Sequence, residues 1–391
     1  MSPKQFATRY VFGIFALLSL IGIFNRIVDP FWYYRDIEIK GFNAVKTKFN
    51  LYERHVKPAL LVRDQPEAII LGSSFSEIGF DPTNPLFTDH GRLKSMNFAL
   101  AGAQWDMVQC EFEFAVSNAP IKRALVGFTP GNLPLADCAK NFPSIGQVSA
   151  VQLLLSDRAL QASIDTIGDQ KNKMPTHTRE GLYFLPPQRN AAADHGFREI
   201  FLQQIKEYHR NKENLQCPEP AAQSDTQPDL SFGQTLDLSG LQRMMRTAQE
   251  HGIELVLFAY PSHAYMLELA RQCRDQDAKW QAMKQIASLV AKESAEGGQV
   301  RAYQFYGYND ITAETVEVSP TKYWHDPGHF KFVMGNMMLS DMFGGSSPKL
   351  GRSLASANID TDYRDFLQGR TKHLRLHPEF HTEMQKLLPP K

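Results

Sequence analysis

Five short apolar runs, separated by stretches with helical spacing, constrain the fold most. They occupy residues 67–71, 96–100, 124–128 and 253–260, with a weaker fifth at 302–306. Each has the length of a buried strand, and unbroken apolar character is what burial on both faces requires. Between them Trp105, Val108, Phe112 and Ala115 recur on one helical face, as do Leu241, Met244, Met245 and Ala248. The second pattern stops at His251-Gly252, a helix terminator placed just ahead of a strand. Strands alternating with helices predict the α/β class: a mostly parallel sheet with helices on both faces, a three-layer α/β/α sandwich. Hydrophobic residues make up 43% of the 391, enough to bury such a core.

The N-terminal segment bears on the compartment. Residues 10–24 form a run broken only by Ser19 and two glycines, with Lys4 and Arg9 before it and Asn25-Arg26 after it. The run is short of the about 20 residues a membrane span needs, and snorkelling flanks make up the difference. No small-x-small cleavage site follows. Phe31-Trp32-Tyr33-Tyr34 reads as an interfacial aromatic belt. The expectation is an uncleaved signal-anchor transmembrane helix, with the N-terminus in the cytoplasm and the rest in the periplasm of a bacterial inner membrane. A cleaved signal peptide or a buried core helix are the competing readings, and Arg26 on the outer side counts against the anchor's charge asymmetry. Lys+Arg and Asp+Glu are both 42. Without a basic excess no nucleic-acid partner is expected. The cysteines are Cys110, Cys138, Cys217 and Cys273, none in C-x-x-C spacing. Three pairings are open if all are bridged, and buried free thiols are the alternative. Cys110–Cys138 is the favoured pair, because the two flank the third strand.

The expected organisation is tip, anchor and belt at 1–34, a helical lead-in or linker at 35–65, the main domain at 66–345, and a polar tail at 346–391. Within the main domain, residues 131–235 are rich in Gln, Asn, Pro and Asp with no strong strand. They read as an insertion forming a cap or groove, with helices near 151–166 and 197–209.

Two motifs carry chemistry. Gly72-Ser73-Ser74-Phe75 follows the first apolar run. Ser74 therefore falls at the C-terminal end of a parallel strand, where such sheets bind ligands, and Gly72 permits the turn. Capping of the next helix is the plain alternative for these serines. Asp326-Pro327-Gly328-His329 lies far downstream. A carboxylate three residues before a histidine can orient the ring, which can then take a proton from a serine hydroxyl. Pro-Gly keeps the turn from being helical, so His325, Asp326 and His329 are a poor metal set, and no metal or cofactor is expected. Tyr260-Pro261-Ser262-His263 closes the fourth run and makes His263 a candidate at the substrate rim, or else part of a capped helix start.

Nucleophile after the first strand and Asp-x-x-His near the end: the chain resembles the SGNH (GDSL-type) hydrolase superfamily, with Gly-Ser-Ser-Phe in place of Gly-Asp-Ser-Leu. The resemblance implies a flavodoxin-like sheet, with Ser74 as nucleophile, His329 as base and Asp326 as its orienting partner. It implies an oxyanion hole from the Ser74 and Gly102 N–H groups, Gly102 following the second strand. The family's third block, Gly-x-Asn-Asp, is not matched after the third strand, where Asn132 is the nearest candidate. Gly307-Tyr308-Asn309-Asp310 has the letters but follows the fifth run, and reads as a local turn. Membrane-anchored members add or remove acyl groups on envelope polymers beside a membrane-bound O-acyltransferase. The implied activity is therefore an O-acetyltransferase or O-acetylesterase on a cell-envelope or exported glycan, with an acyl-ester substrate and that acyltransferase as partner. The rival is a non-catalytic envelope scaffold or glycan-binding protein that keeps the fold.

Overall fold

The computed structural model describes residues 2–141, 149–171, 173–185, 196–213, 235–272, 275–345 and 349–387. In chain order the first elements are helix α1 (Pro3–Val28), α2 (Glu53–Asp64), strand β1 (Ala68–Leu71), α3 (Ser74–Gly79), β2 (Ser95–Asn97) and α4 (Trp105–Asn118). Next come β3 (Arg123–Phe128), α5 (Cys138–Asn141), α6 (Ala150–Leu155), α7 (Asp157–Asp169) and α8 (Phe197–Glu213). Then follow α9 (Ser239–Glu250), β4 (Glu254–Ala259), α10 (Ala264–Gln272), α11 (Asp275–Ala295) and β5 (Val300–Gln304). The last are α12 (Phe332–Phe343), β6 (Arg352–Ser353), α13 (Ile359–Leu376) and α14 (Pro378–Leu387). The chain divides into two compact units, Met1–Gln65 with Pro143–Phe184, and Pro66–Phe142 with Leu185–Lys391.

The first unit replaces the expected linker. The lead-in and part of the expected insertion belong to one fold, which also takes in the end of α1. Helix α1 is long and apolar enough to cross a membrane, with mean hydropathy 2.1 over its most apolar window. Its last carbonyls would be orphaned if nothing capped them. Buried Asn43 donates Nδ2 to Ile27 O at 2.7 Å, and buried Lys46 donates Nζ to Val28 O at 2.8 Å and Asp29 O at 3.0 Å. The Asp29 carboxylate then accepts the Tyr33, Tyr34 and Arg35 N–H groups, which turns the chain back. Phe31 and Trp32, expected at the membrane interface, are instead buried in this unit. The Trp32 ring lies under the Arg35 guanidinium at 4.7 Å and its Nε1 donates to Glu38. The rings of Phe31 and Trp32 are thus covered by protein. The expected single helix at 151–166 is broken at Ser156, whose hydroxyl accepts the Ala159 N–H and starts α7.

The second unit is built on a six-stranded sheet in the order β2-β1-β3-β4-β5-β6, parallel except for β6. Every residue of β1 is buried, and so are the apolar residues of β3 and β4. The chain moves outward from β1 to β2 and then crosses to β3 on the other side of β1. The C-terminal ends of β1 and β3 therefore lie where the strand order reverses, the place at which open parallel sheets bind ligands. Ile70, Leu125, Val256 and Phe258 pack with Phe80, Trp324, Phe330 and Met338 in the core. Each such side chain contributes about 1.5–3 kcal/mol by leaving water. Cys110 on α4 and Cys138 on α5 are joined by a disulfide, while Cys217 and Cys273 lie outside the described residues. The tail is less polar in structure than in letters. Helix α13 takes up much of that tail, and Tyr363 stacks on the buried Trp280 ring at 4.9 Å.

Candidate active site

Ser74 is the first residue of α3, directly beyond β1. Its turn is possible because position 72 is glycine: φ is +137°, and a Cβ there would come within 2.2 Å of the Tyr260 hydroxyl. That hydroxyl, at the end of β4, accepts the Ser73 N–H at 2.9 Å and bonds the Ser76 Oγ at 3.2 Å. Burial raises the Tyr260 pKa, so the phenol keeps its proton. The far end of α3 is held by Asn97, fully buried at the end of β2. Its Nδ2 donates to the Ser76, Glu77 and Phe80 carbonyls at 3.1, 3.2 and 3.0 Å, and its Oδ1 accepts the Ala99 N–H. These are the carbonyls a helix leaves unpaired at its last turn.

The downstream motif sits on a tight turn. Trp324 and Phe330 pair across it, the His325 N–H bonds the His329 carbonyl, and the Asp326 Oδ1 accepts the Gly328 and His329 N–H groups at 2.9 and 2.8 Å. Phe330 packs against Gly79, where a Cβ would approach its ring to 2.1 Å. A glycine at the end of α3 is what lets the turn come this close to the helix that carries Ser74.

The two motifs meet. Ser74 Oγ lies 2.9 Å from His329 Nε2, and His329 Nδ1 lies 2.8 Å from Asp326 Oδ2. Both ring nitrogens are thereby engaged. Burial pushes the Asp326 carboxyl up, but the His329 hydrogen bond and charge and the two backbone N–H groups together leave it below its ordinary value. The carboxylate is therefore ionised at neutral pH and favours the tautomer with hydrogen on Nδ1, leaving Nε2 to accept the serine proton. Phe75 stacks on the imidazole at 4.7 Å and 23°. The His329 side chain keeps 12% of its surface exposed, so the dyad can be reached from solvent.

Gly102 lies in the turn after β2, at φ +70°. The Leu100 N–H bonds the Gly72 carbonyl at 3.1 Å, which sets this turn beside the nucleophile's. Asn132 is exposed, and its Oδ1 accepts the Asp237 N–H at 3.0 Å. It ties the loop after β3 to the start of α9, and none of its hydrogen bonds among the described residues reaches the triad. His263 is not a rim residue. It is 1% exposed, with Nε2 2.9 Å from the Glu314 carbonyl and Nδ1 accepting the Tyr265 N–H. Desolvation lowers its pKa to about 4, so it is neutral. Its backbone N–H bonds Pro327 O at 3.3 Å, which supports the Asp326–His329 turn from behind. It lines a cavity of about 90 Å³ with Arg198, Tyr265, His373 and Glu383 that includes no member of the triad.

Sequence reasoning missed Asn97, Tyr260 and Phe75 as parts of this site. A polar residue ending an apolar strand was the available signal for Asn97. No local pattern marks Tyr260, whose partner lies 187 residues away. No protein-family model matches the chain, and no curated protein is significantly similar to it.

Proposed function

We propose that the protein is a membrane-anchored serine acyl-transfer enzyme of the SGNH type, an O-acetyltransferase or O-acetylesterase acting on a cell-envelope or exported polysaccharide. The observation that carries the reading is the unbroken relay from Ser74 Oγ through His329 to Asp326 at the C-terminal ends of parallel strands. The strand order supports a flavodoxin-like, three-layer α/β/α arrangement. Helix α1 would anchor it as a single span, with the catalytic unit in the periplasm, and the disulfide favours that oxidising compartment. A membrane-bound O-acyltransferase would supply the acyl group.

In this mechanism His329 Nε2 takes the Ser74 proton as Oγ attacks the acyl carbonyl carbon. The oxyanion forms against the Ser74 and Gly102 N–H groups. Ser74, as the first residue of α3, has no carbonyl within the helix to bond. Collapse releases the alcohol, which takes the proton from His329, and leaves acyl-Ser74. A sugar hydroxyl, or water, then gives its proton to His329 and attacks the acyl group, and the proton returns to Ser74. Asp326 stabilises the imidazolium at each stage.

A fluorophosphonate probe tests this. It should label the wild-type protein at Ser74, and Ser74→Ala or His329→Ala should abolish labelling and lower turnover of a model acetyl ester by about 10⁶-fold. Folded wild-type protein that neither labels nor turns over would favour the scaffold reading.

A further inference from the structure

We infer that α6 is an interfacial helix that lies in the headgroup layer of the membrane crossed by α1, and sets how deeply that anchor sits. The inference rests on the anchor reading above. Every residue of helix α1 from Pro3 to Leu20 is exposed, and the helix begins to be covered at Ile21. What covers it includes α6. The Asn25 Nδ2 bonds the Leu154 carbonyl at 2.8 Å, and a Cβ on Gly22 would meet Leu155 Cδ2 at 3.3 Å. Helix α6 therefore runs beside the last turns of the apolar segment.

The length of that segment locates the membrane surface. A hydrocarbon layer of about 30 Å takes about 20 helical residues. Counted back from Leu20, the layer would reach the chain's first residue and bury both Lys4 and Arg9. Counted back from Phe24, it ends at Gln5, which leaves Lys4 outside and Arg9 about one turn from the boundary, where its stem can snorkel. The second placement puts the boundary at the level of α6.

The surface of α6 suits that position. Its sequence, AVQLLL, carries no charge. Val151 is 63% and Leu155 39% exposed, and on α1 Leu20 and Ile23, close in sequence to the Gly22 that meets Leu155, are 65% and 57% exposed. Among the described residues this would be an uncovered apolar collar in water. At a bilayer surface it is covered by acyl chains to a depth of about 5–10 Å, as for other interfacial helices. The aromatic residues that would ordinarily mark this boundary, Phe31 and Trp32, are occupied inside the unit. The occupant is thus the phospholipid surface itself.

The full-length chain, reconstituted in vesicles of phosphatidylethanolamine and phosphatidylglycerol, allows a direct test with a photoreactive benzophenone amino acid. It is placed at Val151, at Leu155 in a second variant, and at Leu17 of the anchor. Irradiation should give the mass shift of a phospholipid adduct at Leu17 and at both α6 positions. Adducts at Leu17 but at neither Val151 nor Leu155 would overturn the interfacial helix and leave the anchor standing. No adduct at any position would remove the anchor, and this inference with it.

Discussion

Tyr260 shows how much of the site depends on a single buried atom. Its hydroxyl is the acceptor for the Ser73 N–H, one residue before Ser74. Tyr260→Phe keeps the ring packing against Phe75 and Phe258 but leaves that N–H unpaired in a dry place, at about 1–3 kcal/mol. The nucleophile turn should loosen, so kcat on a model acetyl ester should fall about tenfold with KM little changed. The pH profile should keep its shape, since His329 remains the base; a displaced profile would mean that the phenol titrates in the reaction. His263 makes a second prediction. Its pKa is about 4 in the fold against 6.5 for an ordinary histidine, so the unfolded chain binds its proton first. The stability this contributes is fully present above pH 6.5 and is lost as pH falls toward 4, about 3 kcal/mol in all. Thermal midpoints in detergent should drop between pH 7.5 and pH 4.5, and His263→Gln should flatten that slope. His325, also lowered to about 4, keeps the variant's slope from vanishing.

Helix α3 is short, and its placement comes from neighbours rather than propensity. Asn97→Ala should leave the carbonyls of Ser76, Glu77 and Phe80 without their buried donor and cost about 2–3 kcal/mol. A thermal shift assay reads the stability, and esterase activity should fall with it because Ser74 rides on this helix. Cys138→Ser should cost about 3 kcal/mol by freeing the 28-residue separation that the disulfide closes. Elements like these were legible to different degrees. The strands β1, β3 and β4 announced themselves, because burial on both faces requires continuous apolar runs. The weaker fifth run lay two residues off, since β5 (Val300–Gln304) alternates exposed and buried positions rather than reading as one apolar block. The two-residue β6 is exposed and polar, so hydropathy gives it no signal. Ser74, Asp326 and His329, which the fold brings together, stood out in the sequence because the proposed chemistry needs particular residue types. Asn97 and Tyr260 act through geometry that only the fold creates.

The partition of the whole chain was the least legible feature. Residues 35–65 read as a linker because their fixed partners lie in 143–184, and no periodicity links segments so far apart. Thr47 Oγ1 bonding Asp169 at 2.7 Å and Val45 N–H bonding Gln170 Oε1 at 2.9 Å are long-range contacts of this kind. They turn a lead-in into a unit that grips the end of α1. Two independent observations support the orientation proposed for α1 and the units that follow it. Lys4 and Arg9 precede the apolar run, and basic flanks stay on the cytoplasmic side. The disulfide between Cys110 and Cys138 needs an oxidising compartment on the other side. Alkaline phosphatase fused after Tyr34 should therefore be active. Denatured, unreduced full-length protein should leave Cys110 and Cys138 inaccessible to an alkylating reagent. Exchanging both cations that precede the run, Lys4→Glu with Arg9→Glu, should weaken the topology signal, lower the fusion's activity and expose these thiols to alkylation in the same fraction of molecules. An inactive wild-type fusion, together with both cysteines alkylated, would place the domain in the cytoplasm and remove the envelope glycan as the proposed substrate. A disulfide that persists when the fusion is inactive would separate the two observations and overturn the charge argument alone.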